Sequence, residues 1–275
     1  MSCSVLTYRA PATMIKAFVI SLPAAHARRT SMTAMLDGNI DYEIVDAVAG
    51  RALAGREREF CKDLYCARAF RDMSLNELAC SIGHMMALER FLASDADHGL
   101  ILEDDVHIKP PDFARISALV DTMPAFDLLK VGGYLGGLDY GKVLYRLDGV
   151  SVVAVLSPSV CAHGYVVTRR GARKLASTIL PVREPYDAFL RNVHDHGCII
   201  FETSPWLVLA SADAAESYIG GTRQPRRSSL SIRKTLRSAA FRLRYNVMRR
   251  VFNLRRFGLS YVTKSGFKRL PEATI

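Results

Sequence analysis

Apolar and polar positions alternate along this chain in blocks of two kinds. Short apolar runs, Ile15 to Ser21, Tyr42 to Val45 and Leu100 to Leu102, read as strands, the first and last of them buried. Between them, His26 to Leu36 has helical spacing, so the opening grammar is strand, helix, strand, as in a parallel sheet. Residues 51 to 73 carry charge and aromatics without a clear period and predict loops and short helices over the sheet edge. Ser74 followed by Glu77 is a capping box, and the helix it opens runs to about Ala93. Leu78, Ile82, Met85 and Leu92 give that helix a core face, while Glu77, Cys80 and His84 follow a neighbouring stripe.

Pro110 and Pro111 open a helix to about Met123, and Asp127 to Val131 returns as a strand. Val143 to Leu147 and Val152 to Leu156 suggest a smaller, antiparallel ribbon. Cys161 to Thr168 predicts a strand, Arg170 to Thr178 a helix, and Cys198 to Phe201 with Leu207 to Leu209 the closing strands. From Ser228 the pattern becomes a helix with Leu236, Ala240, Leu243, Val247, Val251 and Leu254 at spacings of three and four. Such a stripe, bordered by Arg237, Arg244, Arg255 and Arg250, suits a headgroup layer, a packed terminal helix or, less well, a nucleic-acid arm.

Composition sharpens this division. With 275 residues, 49% of them hydrophobic, the chain can bury a large α/β core. The net charge of +10 is uneven: residues 222–275 hold fifteen Lys and Arg against Glu272 alone, leaving a body that is mildly acidic. A basic arm on an acidic body points to an anionic surface as partner. The six cysteines form no CxxC pair, which suits reduced thiols. No run approaches the roughly 18 apolar residues of a spanning helix, and Ala17 to Leu22 is short for a signal-peptide core. Residues 1–13 are expected to be an extension, 14–221 the main domain, and 222–275 a basic tail peripheral to a membrane.

The candidate chemistry sits where the run Leu100-Ile101-Leu102 stops at Glu103-Asp104-Asp105. Three like charges at a strand end cost free energy unless a cation neutralises them, and hard oxygen donors suit Mg²⁺ or Mn²⁺. A solvated turn is the alternative reading of the same triplet. Arg28 and Arg29, in the first turn of a helix, oppose its dipole and would suit a bound anion, although exposed arginines are the commoner case. Gly132, Gly133, Gly136 and Gly137 have neither dinucleotide-binding nor P-loop spacing and read as a loop beside the site.

Five segments taken in order resemble glycosyltransferase family 25, the lipopolysaccharide and lipooligosaccharide glycosyltransferases related to the collagen galactosyltransferases. They are Phe18 to Leu22 with Arg28-Arg29, Glu77-Leu78-Ala79-Cys80 with His84, and Leu100 to Asp105. The fourth is Ala162 to Val167 with Gly171 to Leu175, and the last Pro185-Tyr186-Asp187-Ala188-Phe189-Leu190. The resemblance spans roughly residues 15 to 210. It departs from the family at Gly83, where Ser commonly precedes the histidine.

This resemblance implies a GT-A type, Rossmann-like mixed sheet flanked by helices, with the basic helical extension appended. It further implies a metal-dependent, inverting hexosyltransferase using a UDP-sugar, galactose favoured, with Mn²⁺ or Mg²⁺ held by Glu103 and Asp105. Ser21, Arg28, Arg29, His84 and Asp104 are then expected at the donor. Asp187 is the expected general base, with Glu184 second. The acceptor would be a lipid-linked saccharide of surface polysaccharide, reached from the inner face of the cytoplasmic membrane, with no nucleic acid involved. The competing function is a non-catalytic scaffold of the same fold that binds anionic membrane or partner enzymes.

Overall fold

The computed structural model describes residues 13–133, 140–211 and 232–270. Most of the expected N-terminal extension, Gly136 and Gly137, and the start of the basic tail lie outside the described residues. The α/β expectation holds. Among these residues a nine-stranded mixed sheet runs in the order β13 (Lys268–Arg269), β8 (Tyr140–Leu147), β9 (Val150–Ala154), β11 (Ile200–Ser204), β7 (Leu128–Lys130), β10 (Gly164–Thr168), β5 (His98–Glu103), β1 (Ile15–Ser21) and β2 (Asp41–Asp46). Its functional half is β1 (Ile15–Ser21), β2 (Asp41–Asp46) and β5 (His98–Glu103), all parallel, with β10 (Gly164–Thr168) antiparallel beside β5.

Strands buried on both faces need apolar residues on both, and the middles of β1, Ala17 to Ile20, and of β5, Leu100 to Leu102, have them. Ala17, Val19, Leu100 and Leu102 point into one core with Met32 and Leu36 of α1 (His26–Leu36) and Phe113, Ile116 and Leu119 of α3 (Pro110–Thr122). Phe18, Ile20 and Ile101 point into the other, against Leu88 and Phe91 of α2 (Leu75–Ala93) and Leu175 of α4 (Arg169–Ile179). The Ser74–Glu77 capping box forms as the sequence predicts, and Arg71 adds a two-pronged ion pair to the buried Glu77 carboxylate at 2.7 and 2.5 Å.

Gly83 shows why α2 has no side chain there. A Cβ would stand 2.9 Å from Cγ2 of Ile20, so the glycine lets the helix lie close on β1. This close approach sets the distance from the helix to the strand end.

The sequence is corrected in two places. The ribbon of β8 (Tyr140–Leu147) and β9 (Val150–Ala154) is antiparallel as expected, but it is no separate sheet: β9 pairs with β11 (Ile200–Ser204), which pairs with β7 (Leu128–Lys130). All five residues of β9 are buried, as in a central strand. The second correction concerns the C-terminal helix, α7 (Ile232–Phe257). It packs on the body, but through the face opposite its apolar stripe. Ser238 bonds the Tyr65 hydroxyl at 2.7 Å, Asn253 donates to the Leu156 carbonyl at 2.8 Å, and the Arg68 guanidinium lies 4.3 Å from the Tyr245 ring centroid. Leu236, Leu243, Val247 and Leu254 remain between 49% and 68% exposed. After α7 and the short α8 (Leu259–Thr263), β13 (Lys268–Arg269) joins β8 at the sheet edge, tying the chain end to the body.

Candidate active site

The parallel register places Ile20 opposite Glu103 and Ser21 opposite Asp46, so β1, β2 and β5 deliver their last residues to one edge. Ligand sites in open α/β sheets form at such carboxyl ends. The pocket there is lined by Ser21, Arg28, the turn Ala47–Gly50, Asn76, Cys80, His84 and the acidic triplet. Neither the turn after β2 nor Asn76 was singled out by the sequence, since neither carries an unusual charge or spacing.

The triplet does not behave as a solvated turn. Asp104 accepts hydrogen bonds from the Ser21 hydroxyl at 2.7 Å and from Arg28 at 3.1 Å, and Asp105 lies 3.8 Å from the same guanidinium. Burial, reinforced by the Glu103 charge, pushes Asp105 up to about 6, with Arg28 acting in the opposite direction. Burial also raises Glu103, but the His84 hydrogen bond and the neighbouring positive groups outweigh it and leave that carboxyl below its usual range. Two carboxylates crowded where water is scarce form a donor set that fits a divalent cation.

His84 is fully buried. Its Nε2 is 3.4 Å from Glu103, its Nδ1 is 3.2 Å from the Tyr165 hydroxyl, and its ring stacks on Tyr186 with centroids 3.9 Å apart. The histidine is therefore oriented from three sides. Cys80, one turn earlier on α2, joins it: the donor atoms of Cys80, His84 and Glu103 all lie within 4.8 Å of one another.

The remaining expected residues are placed differently. Arg29 binds the carbonyls of Ser21 and Leu22 at 2.8 and 3.0 Å and Asp46 at 2.6 Å, clamping the ends of β1 and β2 rather than lining the pocket. Asp187 opens α5 (Tyr186–Leu190), where its Oδ1 accepts from the Ala188 amide at 2.7 Å. It adjoins the Tyr186 ring stacked on His84, and its charge, with those of Glu103 and Asp105, helps hold the Cys80 thiol far above its ordinary value, behind the larger effect of burial. Glu184 is buried in a second cavity beneath α7, paired with Arg68 at 2.7 Å and bonded by Asn192. Burial raises its carboxyl despite Arg68.

Residues 14–135, which contain the β1 end, α2 and the acidic triplet, match the family model described as Glycosyltransferase family 25 (LPS biosynthesis protein). Over that segment the chain is similar to glycosyltransferase family 25. Its sheet and flanking helices form a mixed α/β fold. Two curated relatives carry the description "Glycosyltransferase 25 family member". The one from Aedes aegypti is 23% identical over 217 residues, covering 70% of this chain and 35% of its own length. The one from Anopheles gambiae is 25% identical over 235 residues, covering 74% and 38%. The chain thus spans little more than a third of the length of those relatives. Among solved structures, S. aureus TarS 1-349 aligns with 72% of this chain and 60% of its own at a TM-score of 0.42 and 10% identity. A glycosyltransferase involved in glycosylation of the major capsid of PBCV-1 aligns with 84% and 99% at 0.39 and 10%.

Proposed function

We propose that this chain is an inverting glycosyltransferase of family 25 that transfers a hexose, galactose favoured, from a UDP-sugar to a glycan acceptor of lipopolysaccharide, lipooligosaccharide or related surface polysaccharide. The observation that carries the reading is the meeting of Ser21, Arg28 and the Glu103–Asp105 triplet in one pocket at the carboxyl ends of β1 and β5. Glu103 and Asp105 are the residues that would hold Mn²⁺ or Mg²⁺. Such an ion supplies charge neutralisation for a departing diphosphate. Arg28, held by Asp104, offers a guanidinium on the pocket wall, and the turn Ala47–Gly50 with Asn76 forms a small, mostly uncharged recess suited to a nucleoside.

Inversion by single displacement needs a base for the acceptor hydroxyl. Asp187 is assigned that role. Its Oδ1 is held by the Ala188 amide, while among the described residues Oδ2 receives no hydrogen bond. Glu184 is the weaker choice because Arg68 and Asn192 already engage its carboxylate.

The acceptor is assigned to a lipid-linked saccharide, met at the inner face of the cytoplasmic membrane. What supports this is the direction of the α7 stripe: its apolar residues face away from the body, bordered by Arg233, Arg250 and Arg255. Basic residues near an anionic surface contribute about 1 kcal/mol each. Among the described residues no helix is long and apolar enough to cross a membrane. The test is transfer by purified protein from a panel of nucleotide sugars with Mn²⁺, alongside Asp187→Asn. Asp187→Asn should lower kcat by about 10²–10⁴ and leave donor binding intact. Transfer at the wild-type rate by that variant would remove Asp187 as the base, and no transfer from any donor would remove the activity.

A further inference from the structure

We propose that Cys80, His84 and Glu103 form a binding site for a borderline divalent ion of the Zn²⁺ or Co²⁺ type on the inner wall of this pocket. Cys80 and His84 are four residues apart on α2, which puts their side chains on one face, and the end of β5 brings Glu103 to them. The three donor atoms all lie within 4.8 Å of one another. A four-coordinate ion with bonds of about 2.0–2.3 Å separates its ligands by roughly 3.5 Å. His84 Nε2 and Glu103 Oε1 already stand 3.4 Å apart, and the Cys80 sulfur completes the set within the same 4.8 Å.

The surroundings of the imidazole fit this use. A metal-binding histidine is normally fixed through its other ring nitrogen, and here Tyr165 bonds Nδ1 while Tyr186 stacks on the ring, leaving Nε2 aimed at Glu103. The donor chemistry selects the ion. One sulfur, one imidazole nitrogen and one carboxylate oxygen favour Zn²⁺ or Co²⁺ over the hard ions that an all-oxygen site prefers. On binding, the thiol proton leaves to solvent, and thiolate plus carboxylate balance the dication. Cys80 is only partly covered and lines the pocket with Asp105.

The site shares Glu103 with the residues proposed to hold Mn²⁺ or Mg²⁺, and its test reads metal directly instead of sugar transfer. Full-length protein stripped of metal is titrated with Co²⁺ and followed by absorbance. A thiolate-to-cobalt charge-transfer band should rise to saturation at one equivalent and be bleached by one equivalent of Zn²⁺. Cys80→Ser should abolish the band and weaken Zn²⁺ binding by more than about 100-fold, beyond what loss of an outer-shell partner does. Glu103→Gln should also weaken binding, and Asp105→Asn should keep the band. Circular dichroism of each variant establishes that it is folded. Cys161, whose sulfur is 2.7 Å from His163 Nδ1, is the rival thiol. A band that survives Cys80→Ser and vanishes in Cys161→Ser overturns the assignment, as does no band in the wild type. A transferase-inactive protein that still gives the band separates this site from the donor reading.

Discussion

Replacing Asp105 with Asn removes a charge that the folded chain holds unfavourably. The Asp105 carboxyl rises from the usual 3.8 to about 6, first through burial and then through the nearby Glu103 charge. Each tenfold change in proton affinity corresponds to 1.36 kcal/mol, so the ionised group destabilises the metal-free fold by about 3 kcal/mol. The sign follows from the direction of the rise. Below the unfolded value both states are protonated and no penalty exists. It grows as pH climbs from about 4 to about 6 and is constant above that. Asp105→Asn should therefore stabilise the metal-free protein at pH 7.5 by up to about 3 kcal/mol. At about 2 °C per kcal/mol for a chain of this size, the midpoint rises by roughly 6 °C. The gain should shrink as pH falls and vanish near pH 4. Urea and thermal denaturation of both proteins in EDTA across that range would measure it. An Asn variant no more stable than wild type at pH 7.5, or a difference that ignores pH, would refute the electrostatic account of the pocket.

Two further outcomes follow from the packing. Arg71→Ala removes the cationic partner of the buried Glu77 carboxylate, whose ion pair and capping bonds hold the first turn of α2, and should lower urea stability by about 3 kcal/mol; a loss below about 1 kcal/mol would mean that water reaches Glu77. Leu243→Glu with Val247→Glu, at positions 68% and 50% exposed, should change stability by less than about 0.5 kcal/mol each yet abolish flotation with anionic vesicles, and undiminished flotation would remove the membrane role of the α7 stripe.

The acidic triplet, the Ser74 cap and the strand-helix-strand opening were legible because each is a local pattern: an apolar run cut by charge, a side-chain oxygen three residues before a carboxylate, a change of period. The Cys80–His84 spacing was equally visible, but nothing local said that Glu103 would stand beside it. Arg28 and Arg29 show the limit more sharply. They are neighbours of the same type, yet one faces the triplet and the other clamps the backbone of β1, because successive helical residues point about 100° apart.

The C-terminal helix teaches the same lesson in reverse. Its apolar stripe was correctly located in the sequence, whereas its direction was not determined there, since a period fixes which residues share a face but not which face meets the body. Bonds from Ser238, Asn253 and Arg256 to distant backbone and side-chain groups settled that. The sequence by itself determined the elements and the charge of the pocket, both of which reside in residues close along the chain. Only the tertiary structure decided which charges share a pocket, which arginine faces it and which side of α7 stays bare, because those depend on strand order and helix rotation set by packing across the whole sheet.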